Sequence, residues 1–188
     1  QALEERRYPG LDGLFVHPVS DEAVIAGNAG VGLEILEDLP EPAAVLVPYG
    51  GGGLSSGIAL ALRAAGARAA VFACEVETAA PLAASFGAGA ASAIEYRPSF
   101  VDGIGGRTVL PEMWPLVRRL LAGSCVSTLE ETALAIRTLV ARAHVVSGVA
   151  TGAAGDSIRL PDGPLVCVVS GGNIDPAKLA AILERRVP

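Results

Sequence analysis

Apolar residues in this chain come in two patterns: short unbroken runs, and longer stretches in which they recur every three or four positions. Residues 43–49 (AAVLVPY), 68–76 (RAAVFACEV) and 164–170 (PLVCVVS) are unbroken, and 14–18 (LFVHP) and 125–128 (CVST) are shorter runs of the same kind. A strand with one wet face alternates; a run without alternation is the mark of a strand covered on both faces. Between these runs the period is helical. Asp21 stands where a cap would open a helix over 22–39, which contains three glycines, and Gly66 closes another over 54–66. A helix over 78–89 stops on glycine, and a short one over 111–123 carries Pro111 near its first turn. Ser127 and Glu130 have capping-box spacing at the start of a helix over 127–143, and Asp175 with Pro176 opens the last one. Residues 94–106 (IEYRPSFVDGIGG) read as loop. Strands alternating with helices predict an α/β fold: a doubly wound, mostly parallel sheet with helices on both faces, in one domain over residues 1–188.

Charge and composition narrow the function. The net charge is −6 with only 14 lysines and arginines, so no basic stripe exists to neutralise nucleic-acid phosphates. Apolar runs are broken well before membrane-spanning length, and QALEERRYPG at the start lacks the apolar core of a signal peptide. Cys74, Cys125 and Cys167 sit in strand-like settings without C-x-x-C spacing, which predicts reduced, buried thiols in a cytoplasmic setting rather than a metal cluster. Lys178 is the single lysine.

The stretch VPYGGGGLSSG, 47–57, carries the candidate chemistry. A strand, then Gly50, Gly51, Gly52 and Gly53, then a helix start is a place to hold an anion: the first amides of a helix lack intrahelical acceptors, and glycine lets main chain come close. The stretch has no G-K-[ST] ending and no G-x-G-x-x-G spacing, which disfavours a nucleoside triphosphate and a dinucleotide. A single phosphate monoester remains, with pyridoxal phosphate the commonest cofactor of that kind among α/β enzymes. The competing reading is a tight strand–helix turn without a ligand.

The motifs FVHPVSDEAVIAGNAGVGLEILEDLP, VLVPYGGGGLSSGIALAL, VDGIGG, VSTLEETALAI and VCVVSGGNID follow one another in this order. In that order they resemble the C-terminal two-thirds of the threonine/serine dehydratases and serine racemases, the fold-type II pyridoxal-phosphate enzymes. The resemblance implies that Gly50 to Gly53 give amide hydrogens to the cofactor phosphate and that Ser170 meets the pyridine nitrogen. It also implies that Gly103 borders the ring and that Asn173 shapes the loop after Ser170. A neutral hydroxyl at the ring nitrogen, in place of a carboxylate, favours prompt loss of a β-leaving group. The activity implied is therefore elimination of water from a small hydroxyamino acid such as threonine or serine, giving a 2-oxo acid and ammonia. A racemase or β-replacement enzyme of the same fold is the alternative, and a non-catalytic phosphate- or metabolite-binding domain is another.

Three positions depart from the pattern. The Schiff-base lysine of the family lies upstream of every motif here, and Lys178, in a terminal helix, reads as a solvated surface residue. No catalytic residue is therefore expected in this chain, which would be inactive alone. The N-terminal segment and the small substrate-closing domain are expected to be missing, and the whole to be a homodimer. Ser147 stands where the family usually has a glutamate. Some relatives hold a divalent cation at the position of Glu75, but Pro81 replaces their second acidic ligand, so a metal is disfavoured and capping of the strand–helix turn is the other role for Glu75. His17 is expected to hydrogen-bond within the fold, and His144 to favour the negative end of the helix before it.

Overall fold

The computed structural model describes residues 7–147 and 158–188. Six helices and four strands are described: α1 (Glu22–Asp38), β1 (Ala44–Pro48), α2 (Gly53–Ala64), β2 (Ala70–Val76), α3 (Pro81–Ala88), α4 (Trp114–Leu120), β3 (Gly123–Ser127), α5 (Leu129–Ala143), β4 (Leu165–Cys167) and α6 (Pro176–Leu183). The strands form one parallel sheet in the order β3-β2-β1-β4. No helix among the described residues is long and apolar enough to cross a membrane.

Register and alternation divide the sheet into two faces. Val45, Val47 and Tyr49 of the β1 run and Val71 and Ala73 of β2 pack with Ile58 and Leu62 of α2, Leu82 of α3 and Val117 of α4 in the main core. The opposite face presents Ala44, Leu46, Phe72, Cys74 and Cys125, packed against Ile158 and Leu160. A third cluster joins Val76, at the end of β2, to Phe100 and Val101 of the long loop, Ala133 and Ile136 of α5 and Ile182 of α6. Burying these side chains supplies the main drive for folding, at roughly 25 cal/mol per Å² of apolar surface.

Local chemistry sets most boundaries where the pattern predicts them. The Asp21 carboxylate accepts from the Ala23 amide at 2.9 Å, and that of Asp175 accepts from Ala177 at 2.7 Å. Gly66 and Gly89 end α2 and α3 in left-handed conformation, at φ 75° and 71°. Five expectations are corrected. Residues 14–18 form no strand: Leu14 is 92% exposed, and no described neighbour pairs with the segment. The capping box of α5 is Thr128 with Glu131, one residue later than predicted, because the Ser127 side chain instead donates to the Glu75 carbonyl. Pro111 precedes α4, and the proline inside its first turn is Pro115. β4, expected to be buried, is a three-residue strand that among the described residues pairs on one side only, with β1; Leu165 is 42% exposed, and Cys167 is exposed, not the buried thiol expected.

The glycines of α1 are not equivalent. Gly32 faces α2 so closely that a Cβ would lie 2.8 Å from the Ala61 Cβ and 2.9 Å from the Ile58 carbonyl. Across the same contact, a Cβ on Gly57 of α2 would lie 2.5 Å from the Ile25 carbonyl. Each helix thus has a notch for the backbone of the other. Gly27 has nothing within 4 Å. Gly57→Ala is therefore expected to cost about 1–3 kcal/mol by overpacking. Gly27→Ala should stabilise by about 0.5–1 kcal/mol through helix propensity alone. Thermal unfolding of the two variants checks the contrast; equal shifts would contradict the notch.

Candidate functional site

All four strands point their carboxyl ends the same way, and the candidate residues gather at that edge, where open α/β sheets bind ligands. After Pro48 the chain runs through Tyr49 and the glycines into α2, with Gly52 as N-cap at φ 97°. A left-handed φ of this size favours glycine. Among the described residues, the main-chain amides of Gly50, Gly51, Gly52 and Gly53 have no acceptor. They lie at the positive end of a twelve-residue helix.

Three of the four glycines are required by packing. A Cβ at Gly51 would stand 2.6 Å from Cγ1 of Val19, and one at Gly53 would stand 2.9 Å from the Val19 carbonyl. A Cβ at Gly52 would meet Tyr49 Cε2 and Val117 Cγ1 at 3.0 Å. Val19 is held in turn by His17, whose Nδ1 accepts from the amides of Val19 at 3.2 Å and Ser20 at 2.9 Å. Nδ1 is therefore the acceptor nitrogen of a ring that is only 3% exposed. Gly50 differs: the nearest atom to its Cβ would be the Ile104 Cα at 3.8 Å, an ordinary contact. Among the described residues nothing demands glycine at 50, whereas a ligand lying against the main chain there would.

Ser170 leaves the same edge on the next strand. Leu46 and Cys167 are paired, the Val168 amide donates to the Leu46 carbonyl at 2.9 Å, and Tyr49 and Ser170 each lie three residues past that pair. Neighbouring strands are about 4.8 Å apart, so one small molecule can span both strand ends. Ser170 is half-buried, and its carbonyl accepts from the hydroxyl of the fully buried Ser147 at 3.2 Å. The residue that departs from the family glutamate thus braces the predicted ring partner. Gly103 is exposed at the tip of the long loop, which is tied to the site by the Gly105 amide donating to the Tyr49 carbonyl at 3.2 Å. Asn173 is exposed in the turn between Ser170 and α6. His144 caps α5 in left-handed conformation at φ 56°.

Glu75 lies beneath this edge, fully buried. Its Oε1 accepts from the Leu82 amide at 2.9 Å, and its Oε2 accepts from the Ala83 amide at 2.8 Å and the Ser124 hydroxyl at 2.6 Å. Those donors occupy the lone pairs a cation would need. No group of three His, Cys, Asp or Glu side chains among the described residues could hold a metal ion. The donor set does not fit a divalent cation; in this structure the carboxylate caps α3. Burial raises the Glu75 pKa, and the three donors oppose that shift. Lys178 is partly exposed, and its Nζ donates to Asp102 Oδ2 at 3.0 Å.

Sequence reading missed Val19 and Tyr49. Val19 carries no signal, since nothing marks an apolar residue in a turn as the counterpart of two glycines some thirty positions on. Tyr49 does carry one, a large aromatic placed directly before four glycines. It is 1% exposed, and its hydroxyl has no hydrogen-bond partner among the described residues. Burial, and secondarily the Glu75 charge, raise its pKa, so it stays protonated. For pyridoxal phosphate the residues fit: four amides at a helix start that have no acceptor among the described residues, a Gly50 with no packing reason among them, and a serine on the adjacent strand end.

Two stability tests follow. Removing the orphan hydroxyl by Tyr49→Phe should stabilise the chain by about 1 kcal/mol, because a buried unpaired polar group is unfavourable; lower stability would reveal a partner for it. A carboxyl whose folded pKa is raised contributes stability that is complete below its ordinary value of 4.5 and is lost as pH rises through the folded value. The stability of Glu75→Gln relative to wild type should therefore improve from pH 4.5 upward, whatever constant offset the amide introduces. A pH-independent difference in Tm would refute the raised value.

Comparison with known proteins places this geometry among relatives. The family model described as "Pyridoxal-phosphate dependent enzyme" matches residues 2–171. An L-threonine ammonia-lyase of Geobacter sulfurreducens is 36% identical over 190 residues, covering 98% of this chain and 46% of the relative. One from Thermotoga maritima is 34% identical over 176 residues, covering 92% of this chain and 44% of the relative. The chain thus spans about half the length of these curated relatives. Among solved structures, the processed form of threonine deaminase isoform 2 from Solanum lycopersicum superposes with a TM-score of 0.81 at 25% identity, covering 91% of this chain and 52% of that one. Maize serine racemase does so with a TM-score of 0.80 at 27% identity, covering 92% and 57%.

Proposed function

The chain belongs to the family of pyridoxal-phosphate-dependent enzymes, and on that premise we propose that it is the cofactor-binding part of an ammonia-lyase. Its substrate is a small hydroxyamino acid such as threonine or serine, which loses water to give a 2-oxo acid and ammonia. The observation that carries this reading is the acceptor-free amide row at Gly50–Gly53, set beside Ser170 on one strand edge.

Bound there, pyridoxal phosphate supplies the electron sink that makes loss of the α-proton and the β-hydroxyl feasible. The chain's own contribution is to bind and to orient. The amides of Gly50 to Gly53 donate to the phosphate dianion, assisted by the helix dipole. The Ser170 hydroxyl would serve as a neutral partner for the ring nitrogen, a group that does not itself fix a proton there. Gly103 borders the ring without a side chain in the way. Ser147 keeps Ser170 in register through the bond to its carbonyl.

The Schiff-base lysine and the domain that closes over substrate are supplied, in this reading, by a further portion of the same enzyme, which works as a cytoplasmic homodimer. The bare row of β4 supports the idea of such a cover. Leu165 is 42% exposed, Val169 43% and Cys167 is exposed, beside a β1 whose Ala44, Val45, Leu46 and Val47 are 0% exposed. An unbroken apolar strand is the composition of a two-sided core, which this side of β4 lacks.

The direct experiment is expression of the enzyme with its lysine-bearing portion. Cofactor absorbance together with 2-oxo acid release from threonine or serine is expected, and absence of both would overturn the reading. Chiral analysis of the amino acid left behind separates elimination from racemisation. Gly50→Ala should leave Tm nearly unchanged and weaken cofactor binding about tenfold, about 1.4 kcal/mol. Gly51→Ala, by contrast, should lower Tm. Equal cofactor affinity in Gly50→Ala and wild type would argue against a ligand at residue 50.

A further inference from the structure

Lys178 is the chain's single lysine among 14 lysines and arginines, and its contact is with the loop that carries Gly103. That loop is attached at its two ends by different means. Phe100 and Val101, 3% and 2% exposed, are buried in a cluster with Ile174, Leu179 and Ile182 around α6. Gly105, at φ 84°, donates its amide to the Tyr49 carbonyl at the mouth of the glycine stretch. The tip between these ends, Asp102 and Gly103, is exposed. Among the described residues its only side-chain tie is Asp102 Oδ2 to Lys178 Nζ, at 3.0 Å.

Lys178 itself is well placed to hold a tip. It sits in the first turn of α6, where Asp175 accepts from its amide at 3.3 Å and from that of Ala177 at 2.7 Å. Only a short turn separates Ser170 from Pro176 at the start of the same helix, so its first turn is indexed to the strand end that carries Ser170.

We propose that Lys178 is a positioning residue for the cofactor site, clamping the Asp102–Gly103 tip to the first turn of α6 and so setting the gap between Gly103 and Ser170. This rests on the cofactor reading above. The amine touches neither substrate nor cofactor; it acts through Asp102. An ion pair with side chains 33% and 64% exposed is screened by salt, so the gap becomes sensitive to ionic strength.

Two measurements test it. In the enzyme freed of cofactor, amide hydrogen exchange over residues 101–105 should quicken about three- to five-fold in Lys178→Met and in Asp102→Asn, the range open to an exposed ion pair. Exchange in β1 and β2 should stay unchanged. In the holoenzyme, the same variants should release pyridoxal phosphate about three- to five-fold more readily and shift its absorbance or visible circular dichroism. Lys178→Arg, or the swapped pair Asp102→Lys with Lys178→Asp, should restore both readouts. Unchanged exchange at 101–105 and unchanged cofactor affinity in Lys178→Met would overturn the clamp. So would exchange that quickens across the whole chain, since that reports general destabilisation. If the wild-type enzyme binds no pyridoxal phosphate, the cofactor reading fails and the clamp's function with it. If wild type binds and the variants match it, the clamp alone fails.

Discussion

Val19 packs against the main chain of Gly51 and Gly53 so closely that neither residue has room for a Cβ. This packing constraint fixes the candidate site. His17 holds the turn that presents Val19, Val19 fits the glycines, and the glycines deliver the start of α2 to the carboxyl edge of the sheet. The far end of α2 is anchored as well: the Arg63 guanidinium donates to the Arg119 carbonyl, tying the last turn of α2 to that of α4. Along its length α2 lies against α1 through the mutual notches at Gly32 and Gly57. A row of amides without acceptors is unfavourable by itself, and a loop free to move would turn them toward water or its own carbonyls. Here Val19, Tyr49 and Val117 crowd Gly51, Gly52 and Gly53, which limits the room for the loop to rearrange.

The four glycines therefore share one motif for unlike reasons. Gly52 serves backbone conformation and the contact with Tyr49 and Val117, Gly51 and Gly53 serve the turn at Val19, and Gly50 alone serves no neighbour among the described residues. A uniform string can hide such a division, and only contact distances separate its members. The same holds for Glu75. The residue type admits a cation, but its two oxygens are committed to the start of α3 and to Ser124, so the carboxylate stabilises a helix at the edge where ligands bind.

Most of the framework was legible in the sequence because it depends on local rules. Period, caps and stop glycines located β1, α2, β2, α3 and α6 within a few residues. The features that were not legible depend on distant partners. The run at 14–18 has the composition of a strand, yet a strand exists only with a neighbour to pair with. The α5 cap moved from Ser127 to Thr128 because Ser127 is drawn across to the Glu75 carbonyl of β2, 52 residues away in sequence. β4 reads as buried from its apolar run, and its exposure reflects what lies beside it, not what it is made of. For the candidate site, the glycine stretch and Ser170 could be named in advance and Tyr49 left a signal beside them, whereas Val19 and the Asp102 contact of Lys178 appear only once the chain is folded.

The scarcity of lysine has a chemical corollary. Pyridoxal phosphate is an aldehyde, and aldehydes condense with accessible primary amines. On this chain the one side-chain amine donates to the carboxylate of Asp102. All other basic side chains are guanidinium or imidazole groups, which do not compete for a carbonyl. If the proposed coenzyme binds here, Lys178 is the single side-chain amine of this sequence at which a stray imine could trap it in the wrong place.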